Sequence, residues 1–190
     1  EKFKFKLGQV KRKGIVQAIG FGIDHRAGRV GKLFQKRSAK VNALRNLSSF
    51  IAGMTFTIKV SNNKLSFTET KFGVNYNIRK VKEKFKQINQ SCTRCYVISK
   101  INNLNAVARR NCKMRQGKGD SVLKSTKEIP KAFENAKNNA IQNLIKKAAL
   151  DIYSNQLPDK ISGSFYPERV LAKKSNNKIV ALIRGEVIFR

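Results

Sequence analysis

The chain is poor in the residues that most chemistry needs. Its 190 residues contain one histidine, three cysteines and only 11 acids. One histidine and scattered carboxylates, with no histidine near a cysteine in sequence, form no general acid–base or nucleophilic constellation. Catalysis is therefore not expected. An odd cysteine count without secretory features speaks against a disulfide framework and for a reducing setting. No apolar run approaches the ~20 residues of a membrane-crossing helix. The opening EKFKFKLG lacks the apolar centre of a signal peptide. A phosphate loop ending GK[ST] is absent, and the third glycine of a dinucleotide fingerprint begun at Gly20-Phe21-Gly22 is replaced by His25.

What the chain has in excess is positive charge. Lysine and arginine number 41, a formal net charge of +30. Residues 1–90 hold 21 basic and 4 acidic side chains, and residues 91–190 hold 20 and 7. An isolated domain so charged repels itself. A polyanion that meets it on many faces removes that cost. A membrane-surface helix would concentrate the charge on one segment, which is not the pattern here. A large folded RNA is the partner this distribution implies. With 41% hydrophobic residues and 12 phenylalanines the chain can still bury a core, so it is not simply a disordered tail.

The best-specified element lies between Ser125 and Ala149. Ala132, Phe133, Ala136, Ala140, Ile141, Leu144, Ile145 and Ala148 recur at helical spacing. Pro130 suits a first turn, so the helix is expected to start at Glu128 or Ile129. A second helix is expected across Val30, Leu33, Phe34, Val41, Leu44, Leu47 and Ile51, with a basic outer face. Lys2 to Leu7 alternates like a half-buried strand or a phosphate-binding arm, and Gly14–Ile23 is apolar and dotted with glycine. Met54–Val60 alternates as a strand, Ser61-Asn62-Asn63-Lys64 turns, and Leu65 and Phe67 begin the return. Phe72, Val74, Tyr76 and Ile78 suggest a third strand. Arg79–Gln90 reads as a short basic helix and a boundary between halves. Strands are expected over Cys95–Ile101 and Ala106–Arg115, with a turn at Gly117-Lys118-Gly119-Asp120. Others are expected near Ile161–Phe165, Arg169–Lys173, Ile179–Ile183 and Val187–Phe189. Ser175-Asn176-Asn177-Lys178 is a second hairpin turn, and the recurrence of SNNK reads as shared turn chemistry rather than a repeat.

Candidate RNA contacts follow from basic density beside glycine. They are Lys11, Arg12 and Lys13; His25, Arg26, Arg29, Lys32, Lys36 and Arg37; Arg109, Arg110, Lys113, Arg115 and Lys118; and Lys124 with Lys127. Arg109–Lys118 is the favoured stretch, because a glycine-bearing hairpin lets backbone N–H groups approach phosphates. The glycines at 20 and 22 are read as allowing close approach to RNA or tight turns. Cys92, Cys95 and Cys112 are three potential metal ligands, with a fourth from His25 or another chain. The alternative is a set of small buried thiols. No cofactor is expected.

KSTKEIPKAFENAKNNAIQNL resembles the family of ribosomal protein S-five of the small ribosomal subunit, whose helix reads GKAxEVPxAIxKAxxxAxxNL. Lys124, Ser125, Thr126, Glu128, Ile129, Pro130, Ala132, Ala136, Asn143 and Leu144 occupy matching places. LPDKISGSFYPERVLAKK resembles the later segment IPHxVxGxFGxxxVLLxPA through Leu157, Pro158, Ile161, Gly163, Phe165, Val170 and Leu171. The match covers about the last half of the chain. Most of the family's hairpin glycines are missing, and so is the proline after Leu171. NAIQNLIKKA and KIVALIRGEVIF are also similar to ribosomal protein S-three of the same subunit; a further reading is an RNA-binding or chaperone factor outside the ribosome.

The S-five resemblance implies an α+β fold. Residues 1–90, which have no counterpart in the family, read as a basic N-terminal extension with a helix and short strands; the resemblance implies a double-stranded-RNA-binding-like domain (91–149) and a second small α+β domain (150–190). It implies a structural role in an organellar, mitochondrial small subunit near the messenger entry and decoding region. The partners implied are small-subunit rRNA, neighbouring ribosomal proteins and messenger RNA, with no membrane.

Overall fold

The computed structural model describes residues 5–11, 15–62, 64–73, 82–100, 114–154 and 156–190. Among these the chain is α+β: nine strands in one connected sheet and two α-helices of 25 residues each. The strands are β1 (Phe5–Lys11), β2 (Ile15–Ile23), β3 (Met54–Ser61), β4 (Lys64–Phe72), β5 (Lys82–Asn89), β6 (Cys92–Lys100), β7 (Arg115–Val122), β8 (Lys160–Ser175) and β9 (Lys178–Phe189). The helices are α1 (Gly28–Ala52) and α2 (Ile129–Tyr153), the latter led in by a 3-10 turn at Thr126–Glu128.

The sheet is built around β8. Along one edge its residues 160–165 pair with β3 and its residues 169–172 with β1. Along the other edge residues 163–175 pair with β9. From β1 the order continues through β2 and β6 to β5, while β4 closes the side beyond β3 and β7 the side beyond β9. The sheet therefore runs across the expected boundaries near residues 90 and 150, and strands of the first 90 residues are integral to it. The buried apolar side chains form one cluster that includes Leu47, Phe50, Phe56, Leu144, Ile145, Phe165 and Ile183.

Several elements follow directly from local chemistry. α2 begins at Ile129 with Pro130 in its first turn, where the missing N–H was unbonded anyway. Ser125 makes no side-chain capping bond. Both SNNK turns hold an asparagine at positive φ, Asn62 at 48° and Asn176 at 50°, as tight hairpins require. The four short C-terminal strands expected are two long ones, whose register shifts between Pro167 and Arg169. That bulge absorbs the proline, which has no N–H to give to the ladder.

Other expectations are corrected. The stretch read as a basic helix is β5, paired antiparallel with β6 through a tight turn at Gln90–Ser91. There Asn89 Oδ1 accepts from the Ser91 N–H and Oγ, an asparagine turn that favours the hairpin over a continuing helix. Gly117-Lys118-Gly119-Asp120 is not a turn but the middle of β7. The apolar positions assigned to the inner stripe of α1 split. Leu47 is buried, but Val30, Leu33, Phe34 and Val41 are 55%, 48%, 41% and 56% exposed. The buried side of the helix instead carries Gly31, Gln35, Ala39 and Ala43. The expected strand at 74–78, the turn at 102–105 and most of the strand at 106–115 lie outside the described residues.

Candidate nucleic-acid interface

The glycines that seemed suited to RNA approach are used inside the protein. A Cβ at Gly20 would stand 2.1 Å from Ala43 N and 2.4 Å from Ala39 O; one at Gly22 would stand 2.0 Å from Gln35 O. β2 thus lies directly on the backbone of α1, which explains why that helix turns small residues inward and leaves large ones outside. Asn42 Nδ2 donates to Phe21 O and Asn46 Nδ2 to Ile19 O, both at 2.8 Å.

The same docking recurs in the second half. A Cβ at Gly119 would stand 2.2 Å from Ala140 N and 2.7 Å from Ala136 O. Asn139 Nδ2 donates to Asp120 O and Asn143 Nδ2 to Lys118 O, at 2.8 and 2.9 Å. The helices carry the same string, AKxNAxxNL, at residues 39–47 and 136–144. The two units touch: Lys137 Nζ donates to Asn46 Oδ1 at 2.9 Å and pairs with Glu134 at 2.5 Å, and Phe21 stacks on Phe133 at 5.0 Å between ring centroids.

With the inner faces of the helices occupied, the basic side chains open to a partner lie on the outer ones. α1 contains Arg29, Lys32, Lys36, Arg37, Lys40 and Arg45 and no acid, and all six are exposed. His25 and Arg26 stand exposed in the loop before it. Arg26 is fixed there: Nε and Nη2 donate to Oδ1 and Oδ2 of Asp24 at 3.0 and 2.6 Å, its backbone N–H donates to Oδ1 at 2.9 Å, and its guanidinium carbon lies 4.0 Å from the centre of the Phe34 ring. The hydrogen bonds from Arg26 pull the Asp24 carboxyl down to about 2. On the other flank Lys40 pairs with Glu83 at 2.9 Å and the Lys36 ammonium lies 5.9 Å from the Phe85 ring centre. Gln87 donates to Gln35 Oε1 at 2.9 Å. Glu83, Phe85 and Gln87 therefore face α1, and Lys82, Lys84 and Lys86 alternate with them on the opposite, exposed face of β5.

The remaining candidates scatter. His25, Arg26, Arg29, Lys32, Lys36 and Arg37 are brought together, as the basic density of the sequence suggested. Arg12, Lys13, Arg109, Arg110, Lys113 and Cys112 lie outside the described residues, and Lys11 ends β1. Arg115 is only 17% exposed and pairs with Asp151, so its charge serves the α2–β7 contact. Lys118 is exposed on β7, and Lys124 and Lys127 are exposed ahead of α2. Cys92 and Cys95 are buried free thiols, and burial pushes Cys95 up to about 11, with Glu83 adding to the effect. Three residues apart on one strand, their side chains leave on opposite faces. Lys82, Lys84 and Lys86 were missed as a basic ladder, although their every-second-residue spacing is a strand signal.

The fold and its basic surface together describe an α+β chain with one acid-free helix packed on a nine-stranded sheet, its basic side chains outward. No family model, curated protein or solved structure matches it.

Proposed function

We propose that this chain is a structural rRNA-binding protein of the small subunit of an organellar ribosome, in the mitochondrial matrix. One observation carries the reading. The helix whose inner face is sealed by backbone-to-backbone packing presents six basic and no acidic side chains outward. With +30 overall, its neutralisation calls for phosphates rather than for the protein's own carboxylates. The S-five resemblance of residues 124–174 supplies the assignment to a ribosome. On this reading residues 91–149 are a double-stranded-RNA-binding-like part and 150–190 a second α+β part, both built into the shared sheet. The site lies near the messenger entry and decoding region, with neighbouring ribosomal proteins and messenger RNA as further partners. Its mechanism is clamping: lysines and arginines neutralise phosphates while the apolar core holds them in register, with no chemical step.

The test is the salt dependence of binding to small-subunit rRNA. With ~6–10 phosphate contacts, affinity should fall by orders of magnitude over a few-fold rise in salt. A flat response defeats the reading. Sedimentation of the chain with the small subunit through high-salt gradients separates an assembly component from a transient RNA-binding or chaperone factor.

A further inference from the structure

The ridge of α1 is odd for a surface that meets only phosphates. Val30, Leu33, Phe34 and Val41 are large, apolar and about half exposed, and no described element covers them. Phosphate contacts need none of these. Nor does a phosphate contact need a rigid arginine, yet Arg26 is held at three points by Asp24 with its guanidinium carbon 4.0 Å from the centre of the Phe34 ring. Its side chain remains 56% exposed, which leaves it open to a further contact.

We propose that Arg26, seated on Phe34, is a stacking platform for an unpaired RNA base, and that the apolar ridge of α1 continues the base contact while Arg29, Lys32 and Arg37 hold the flanking phosphates. This rests on the RNA-binding reading and specifies it: the preferred ligand is a single-stranded loop, bulge or end, not a duplex. A base laid on a guanidinium plane gains dispersion and cation–π attraction without hydrogen-bond readout, so sequence preference is weak. The stack becomes base, guanidinium and phenyl ring in order. Prior fixation of Arg26 means that little side-chain freedom is lost on binding. Asp24 is the positioning residue: it sets the plane and touches no RNA. Charge complementarity favours RNA as occupant, since Asp24 is the sole acid from residue 24 to 52 and is already engaged.

The test uses the full chain and three probes of equal length: a short single-stranded RNA, the same strand with abasic sites, and a blunt RNA duplex, followed by fluorescence anisotropy. The wild-type chain should bind the strand with bases about tenfold more tightly than the abasic strand. Arg26→Lys keeps the charge and loses the plane; it should remove most of that preference while leaving the salt slope intact. Phe34→Leu should do the same. Asp24→Asn should lower the preference in part. Arg26 and Phe34 are exposed and Asp24 is partly buried, and circular dichroism checks that the fold is kept. Equal binding of the abasic strand, or an Arg26→Lys chain indistinguishable from wild type, overturns the platform and leaves the ridge to a protein neighbour, with the phosphate reading untouched. Failure to bind any of the probes overturns both.

Discussion

Two strand–helix units, β2 with α1 and β7 with α2, are alike where they touch and unlike where they do not. Of the six residues shared by the two AKxNAxxNL strings, the two alanines face glycines across a strand and the two asparagines bond strand carbonyls. The leucine is buried in each. The shared lysine has diverged in role, Lys40 reaching Glu83 and Lys137 buried against Asn46 and Glu134. Outside the strings the helices part. α1 has six basic residues and no acid, whereas α2 has four and two. Strand pairing differs as well, since β7 pairs with the hairpin of its own unit while β2 pairs with β1 and β6. Docking needs a smooth strand and small helical residues, so it fixes the inner pattern. The outer pattern is free to follow a partner.

The comparison breaks first at the glycines. Gly20→Val and Gly119→Val should each cost about 3 kcal/mol or prevent folding, because a side chain there meets helix backbone that cannot yield. Denaturant unfolding of both variants checks it; tolerance at either position would show that the two dockings are not equivalent. The outer faces should respond differently. Arg29, Lys32, Lys36 and Arg37 replaced together by glutamine should reduce the salt slope of rRNA binding by about 3 with stability nearly unchanged. The same treatment of Lys131, Lys146 and Lys147 on α2 should change it less. Equal losses would place RNA on both helices.

The asparagines sharpen the contrast on a smaller scale. Asn42→Ala and Asn46→Ala strip donors from partly buried carbonyl bonds and should cost about 1–2 kcal/mol each. Asn139→Ala and Asn143→Ala act on exposed bonds and should cost about 0.5–1 kcal/mol. Equilibrium unfolding resolves the difference. The smallest effect is the acid response of the loop before α1. Asp24 sits well below the ordinary carboxylate value of 3.8, at about 2. A depressed folded value means that the Asp24–Arg26 contribution is present above about pH 4 and lost as pH falls through about 2. Asp24→Asn should remove that pH-dependent increment; an unchanged acid profile would deny the pairing.

Much of this was readable from the chain. α2, the hairpin turns, β3 and the basic cluster from His25 to Arg37 each rest on local signals that agree with the fold. The errors at α1 and β7 share one cause: the strand–helix contacts there are made by small residues. Periodicity searches weigh large apolar side chains, so Val30, Leu33, Phe34 and Val41 were assigned inward, and Ala39 and Ala43 went unremarked. Glycine is read as turn chemistry by default, which put a turn where β7 runs straight under α2. Val81, Phe85 and Ile88 fit a helical period by chance, while pairing with β6 decided the matter through long-range hydrogen bonds. The recurrence of SNNK was visible as turn chemistry, but the meaning of the AKxNAxxNL string in the helices depends on their register to the strands, which exists only in three dimensions.

β8 has consequences for how the molecule is made. Strands from the first third of the chain, β1 and β3, pair early with β2 and β4 but find their second neighbour only in residues 160–172. During synthesis the N-terminal half emerges with exposed ladder edges and 21 basic side chains among its first 90 residues, long before its neighbour exists. Such distant pairing slows folding and lengthens exposure to wrong associations. Completion of the sheet is thus coupled to the arrival of the β8–β9 hairpin, and a chain stalled before residue 160 leaves β1 and β3 each with an open ladder edge.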